Sequence, residues 1–154
     1  MNPNFPKRSI EIARKSVESG GGPFGAVIVK DGKIIAEAEN TVTRDIDPSA
    51  HAEVNAIRKA CRALGTHDLS QAEIYTSCEP CPMCLSTIYW AHLSGIHFAA
   101  SRFDAAKAGF DDAFIYDELE KSVGERRIPM DGTRLPESNE PFAAWSLKKD
   151  KKEY

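Results

Sequence analysis

Thr76-Ser77-Cys78-Glu79-Pro80-Cys81-Pro82-Met83-Cys84, read together with His51-Ala52-Glu53 upstream, decides how the rest of the chain is understood. Cys81 and Cys84 stand three residues apart, and Pro82 suits the first turn of a helix. Their sulfurs therefore share one face of that turn. His51 and Glu53 are two apart, a spacing that points side chains away from each other along a helix side. They serve one centre when it lies off the helix end: His51 reaches it from the first turn, and Glu53 leans back because helical side chains tilt toward the N-terminus. One imidazole and two thiolates are three ligands of the kind zinc takes, and a catalytic zinc keeps a fourth position for water. This donor set favours zinc over other divalent metals. Glu53 is then left beside the open position as a proton carrier.

The electrostatics follow from the same placement. Two thiolates cancel the formal charge of Zn²⁺. Two helix N-termini aimed at one point return partial positive charge, about half a unit each, and favour thiolate over thiol. A Cys-x-x-Cys pair is also half of a closed structural site. That alternative needs a fourth ligand, for which Cys78 is at hand, and it leaves Glu53 unused. Cys78 reads equally as a buried thiol, and Cys61 as a core residue. His67, His92 and His97 have no partner spacing.

At 154 residues, 42% hydrophobic and 28% charged, the chain has the composition of one soluble domain with a real core. No apolar run approaches a membrane span. The start, Met1-Asn2-Pro3-Asn4-Phe5-Pro6, has no apolar signal core, so a cytoplasmic location is expected, where thiols stay reduced for metal. The net charge of −3 gives no global basic footprint for nucleic acid.

In chain order, residues 4–19 read as a helix with Ile10, Ala13 and Val17 on one face, stopped by Gly20-Gly21-Gly22-Pro23. Strands over 24–30 and 33–39 flank Asp31-Gly32, a strong hairpin signal because a type I′ turn needs positive φ at both central residues. Residues 40–50 form a polar loop. A helix runs from 49 or 50 to 64 with Val54, Ile57, Cys61 and Leu64 as its buried stripe. A strand over 72–77, a helix from 82 to 92 and a strand over 96–100 make a crossover between parallel neighbours. Helices follow over 104–109, 113–121 and 139–149, the last carrying Phe142, Trp145 and Leu147. Residues 122–136 are irregular, with a candidate strand near 127–131. The expected fold is a three-layer α/β/α domain with a mixed sheet of about five strands.

Three segments resemble the cytidine deaminase-like superfamily: Gly22-Pro23-Phe24-Gly25-Ala26-Val27-Ile28-Val29, His51-Ala52-Glu53 and Cys78-Glu79-Pro80-Cys81-Pro82-Met83-Cys84. His-x-Glu followed by Pro-Cys-x-x-Cys is the signature of zinc deaminases of nucleobases. Tyr89-Trp90-Ala91, Ala105-Ala106-Lys107-Ala108-Gly109-Phe110-Asp111-Asp112 and Lys151-Lys152-Glu153-Tyr154 narrow the resemblance to the small bacterial guanine deaminases. It covers nearly the whole chain.

The resemblance implies one Zn²⁺ per subunit on His51, Cys81 and Cys84, and hydrolysis of guanine at C2 to xanthine and ammonia, with Glu53 shuttling protons. It implies that Asp112 contacts the purine and assists proton transfer, that Asn40 hydrogen-bonds the base, that Phe24 and Trp90 are pocket walls, that Ala52 belongs to the substrate site and that Tyr154 closes it. It also implies a homodimer in which the C-terminal segment, about 122–154 of a single 1–154 domain, is exchanged between subunits. No membrane or nucleic-acid partner is expected. Each residue has a plainer reading beside it. Asn40 is a normal turn residue, Asp112 a cap for the helix that starts at Ala113, and Phe24 and Trp90 core aromatics. The same zinc chemistry also serves guanosine, cytosine or adenosine in tRNA.

Overall fold

Asp31 and Gly32 both take positive φ, 51° and 71°, as a turn of this kind requires, and they join β1 (Gly25–Lys30) to β2 (Lys33–Glu39). The structure is a computed structural model that describes residues 4–154; Met1-Asn2-Pro3, part of the start read above for a signal core, lies outside the described residues. β1 pairs antiparallel with β2 and with β3 (Ala72–Cys78), and β3 pairs parallel with β4 (Gly95–Ala100). The sheet order is β2-β1-β3-β4. Helices α1 (Asn4–Glu18), α2 (Val42–Asp45), α3 (Ala52–Leu64), α4 (Pro82–Trp90), α5 (Arg102–Lys107), α6 (Ala113–Glu120) and α7 (Glu140–Leu147) complete it.

Alternation along β1 sends its side chains to two separate cores. Ala26 and Ile28 join Ala52, Ala56, Ile57, Ala60, Ile74 and Ile88, the layer formed with α3 and α4. Val27 and Val29 join Tyr75, Phe5 and Ile12, the layer formed with α1. The three-layer arrangement follows from a central strand that is apolar on both faces.

Four expectations are corrected here. The sheet has four strands rather than about five. The segment near 127–131 forms no strand: the Arg127 N–H is bound by the Glu118 carboxylate at 2.6 Å, and Pro129 has no N–H to give a ladder. The buried face of α1 is Phe5, Ser9, Ile12, Ala13 and Ser16, whereas Ile10 and Val17 are exposed. The cause is a close approach. A Cβ on Gly25 would lie 2.3 Å from the Ser9 carbonyl oxygen and 2.7 Å from the Ala13 nitrogen. A helix seated this tightly on β1 needs small residues at the contact, and Ser9 satisfies its hydroxyl by donating to the Pro6 carbonyl at 2.7 Å. α2, inside the expected polar loop, is an element the sequence reading lacked.

The chain divides into two compact units, Met1–Ala113 and Phe114–Tyr154. The first carries the whole sheet with α1 to α5. The second carries most of α6, two short 3₁₀ turns and α7, and none of its residues is buried. The apolar side chains of α7 stand outward, Phe142 at 71% and Leu147 at 82% exposure. Among the described residues no helix is long and apolar enough to cross a membrane.

Candidate metal centre

β3 ends at Cys78, and Glu79-Pro80 turn the chain into α4. The turn is fixed at both ends of Glu79. Its N–H donates to the Ala100 carbonyl at 2.9 Å, and its carboxylate accepts from the Arg102 N–H at 3.0 Å. Ser77 ties the end of β3 to the start of β1 by accepting from the Gly25 N–H at 3.0 Å. The chain therefore leaves the sheet in a fixed direction and places Cys81 as the N-cap of α4, with Cys84 one turn on.

His51 is the N-cap of α3. Neither N-cap side chain makes a capping hydrogen bond, so both donors remain available to a shared centre. His51 Nδ1 lies 3.5 Å from Cys81 Sγ and 3.5 Å from Cys84 Sγ. Zinc bonds of about 2.0–2.1 Å to nitrogen and about 2.3 Å to sulfur, set at tetrahedral angles, separate the two donors by about 3.5 Å. All three donor atoms lie within 4.8 Å of one another. The residues fit a zinc ion with three protein ligands and one open position.

Charge in the cluster points the same way. The hydrogen bond from Cys84, with that from His51 adding to it, holds the Cys81 thiol down to about 4. The mutual hydrogen bond with Cys81, then burial, pushes Cys84 up. Contact with Cys81 raises His51. Two adjacent sulfurs, one buried and one half-buried, are both held as thiolate by a cation among them. Cys78 is not part of the set: burial raises it to about 11, and its thiol donates to the Ser101 carbonyl at 3.4 Å. The closed four-ligand alternative therefore loses its fourth sulfur.

Glu53, in the first turn of α3, is 6% exposed. Burial raises its carboxyl above the ordinary range, and the Cys81 charge adds to this. Ala52, between the imidazole and this carboxylate, is fully buried. Asn40 stands at the end of β2, where its N–H donates to the Phe24 carbonyl at 3.1 Å. Its Oδ1 accepts from the Val42 N–H at 3.2 Å. Phe24 meets Phe110 edge to face at 5.0 Å. Asp112 is partly buried; burial, then the Cys81 charge, raises its carboxyl. The cap role weighed for Asp112 falls to Asp111, which accepts from the Ala113 N–H at 3.0 Å.

Trp90 is not brought to this cluster within its own unit. Trp90 ends α4, about 13 Å of helix from Cys81, and is 63% exposed. Tyr154 belongs to the second unit and is 74% exposed. Phe110, the edge-to-face partner of Phe24, is a residue that residue-level reading did not single out. Its signal was an aromatic two residues before Asp112.

The family described as the cytidine and deoxycytidylate deaminase zinc-binding region matches residues 2–100. A guanine deaminase of Bacillus subtilis (strain 168) is 56% identical over 151 residues, 97% of each chain. A tRNA-specific adenosine deaminase of Aquifex aeolicus is 35% identical over 136 residues, 88% of this chain and 87% of that one. The X-ray structure of guanine deaminase from Bacillus subtilis superimposes with a TM-score of 0.97 at 55% identity, covering 100% of this chain and 99% of that one.

Proposed function

The chain belongs to the zinc-dependent cytidine and deoxycytidylate deaminase family, and from that premise we propose how its residues hydrolyse guanine to xanthine and ammonia. The observation that carries the reading is the three-donor set at two helix N-termini, with the buried carboxylate of Glu53 beside it and not needed as a ligand. Zinc on His51, Cys81 and Cys84, when bound, lowers the pKa of water at its open position.

In the overall change, water adds its oxygen at C2, the bond from C2 to the exocyclic nitrogen breaks, and that nitrogen leaves as ammonia. Glu53 takes one proton of the water and passes it to the adjacent ring nitrogen, then takes the second, from the hydroxyl now on C2, and delivers it to the departing amine, leaving a carbonyl at C2. Burial suits it to this, because it narrows the gap between the charged and neutral carboxyl. Asp112 accepts from the ring N–H groups of the purine and assists the transfer. Asn40, with Oδ1 occupied by Val42, presents its Nδ2 to a base carbonyl. Phe24, backed by Phe110, offers a face on which the purine ring stacks, and Ala52 closes the floor of the site.

Trp90 and Tyr154 act in a homodimer on this reading. The segment 122–154 crosses to a second copy, where its terminal tyrosine closes the partner's site. An apolar helix with no buried residue is what such a segment leaves when a single chain is considered alone. The substrate is a small purine base, and a cytoplasmic location agrees with reduced thiols.

Ammonia release from guanine, guanosine, adenine and cytosine on the purified zinc-loaded chain tests the assignment. Guanine is the expected substrate. Turnover of guanosine, adenine or cytosine in place of guanine overturns it.

A further inference from the structure

One side-chain amide ties together the two strands of chain that carry the proposed base-binding and metal-binding residues. Asn55 lies one turn into α3 and is half-buried. Its Nδ2 is 3.1 Å from the Glu39 carbonyl, 3.0 Å from Thr41 Oγ1 and 3.2 Å from the Ala50 carbonyl. Two of these acceptors are carbonyl oxygens, which cannot donate, so this end of the amide is the NH₂ and its orientation is determined. Glu39 and Thr41 flank Asn40, and Ala50 precedes His51. A backbone bond from the Thr41 N–H to the Ala50 carbonyl, 2.9 Å, closes the same junction.

We propose that Asn55 is a positioning residue, a clamp that sets Asn40 against the His51 side of the site and so governs how the base is held. The inference rests on the proposed role of Asn40. The loop between the clamped ends has reason to need one. Ile46 within it is left-handed at φ 52°, a conformation that is strained for a branched residue. The carbonyls that Asn55 binds are spaced across the loop, so loss of the amide frees the Asn40 end while His51 stays fixed at the head of α3.

The test uses the zinc-loaded full chain and steady-state kinetics with guanine. Asn55→Asp keeps the shape of the side chain and turns a donor into an acceptor facing three acceptors. It is expected to retain zinc and secondary structure, to raise KM about tenfold or more and to change kcat far less. Thr41→Val, which removes one acceptor together with the hydroxyl's own bond to the Asp45 carboxylate, is expected to raise KM by a smaller factor. The discriminating measurement repeats both substitutions on an Asn40→Ala background, where the KM effect should vanish because the residue being positioned is gone. An unchanged KM in Asn55→Asp, or the same fold-change with and without Asn40, overturns the clamp. If Asn40→Ala alone leaves KM unchanged, the role of Asn40 falls and the clamp with it. If Asn55→Asp does not fold, Thr41→Val decides by the same criterion.

Discussion

His51 Nδ1 stands 3.5 Å from Cys81 Sγ across 30 residues of sequence, and each residue is the N-cap of its own helix. The pairing gives two imidazole and thiolate donors whose helix dipoles converge on one point. Protonation of either donor competes with metal. Zinc content and activity are therefore expected to fall together as the protein is titrated into acid, with Cys84→Ser losing metal at higher pH than the unaltered chain. Elemental analysis after dialysis at stepped pH reads both; full zinc retention in strong acid would sink the ligand set.

Glu53→Gln removes the proton carrier and leaves every zinc donor in place. The expected result is full zinc occupancy with turnover down about 10²–10⁴-fold, the usual worth of a positioned acid–base group. Turnover within a few-fold of the original, at equal zinc, would take the shuttle away from this residue.

Arg8 clamps Glu37 through two nitrogens, at 2.6 and 3.0 Å. The guanidinium holds the Glu37 carboxyl below its usual range. The stability this supplies is present above the unfolded carboxyl value, about 4.3, and is lost as pH falls through the lower folded value. The partners are about a third exposed, so screening keeps the contribution to about 1 kcal/mol or less. Urea midpoints should show Glu37→Gln less stable than the original at pH 6.5, with the gap closing as acid protonates Glu37. A gap that widens in acid contradicts the pairing.

Ile46 is left-handed and 91% exposed, so its side chain gains little by burial while its backbone carries strain. Ile46→Asn is expected to raise Tm by about 2–4 °C, the response of a chain this size to about 1 kcal/mol. A lower Tm would mean that the isoleucine side chain has a contact worth more than the strain.

The second unit has no buried residue, and this gives a prediction for the assembly. Sedimentation should return the mass of two chains, and Phe142→Asp should shift it toward one. A single-chain mass for the unaltered protein would remove the exchanged segment from the account.

What the sequence made legible was set by local chemistry. Asp31-Gly32 announced its turn because few dipeptides tolerate two positive φ values. The His51 and Glu53 spacing implied a centre off a helix end, and His51 is the N-cap. What stayed hidden depended on packing. The helical periodicity of α1 allowed either the face of Ile10 and Val17 or that of Ser9 and Ser16. Only the close approach at Gly25, invisible in one dimension, selects the second. Asp111 and Asp112 are interchangeable as caps on paper, and one hydrogen bond separates them. Asn55 carries no mark in the sequence, because its three acceptors come from chain five to sixteen residues away.

The metal donors also span the chain in a way that bears on folding. His51 and Cys84 are 33 residues apart, and the stretch between them contains α3 and β3. An ion that joins them closes a ring around a central strand and its neighbouring helix. A cross-link over that length removes about 3–4 kcal/mol of unfolded-chain freedom on the loop-closure account. The loaded ion would then be a staple as well as a reagent, and a chain whose third helix had not docked would have no site to load.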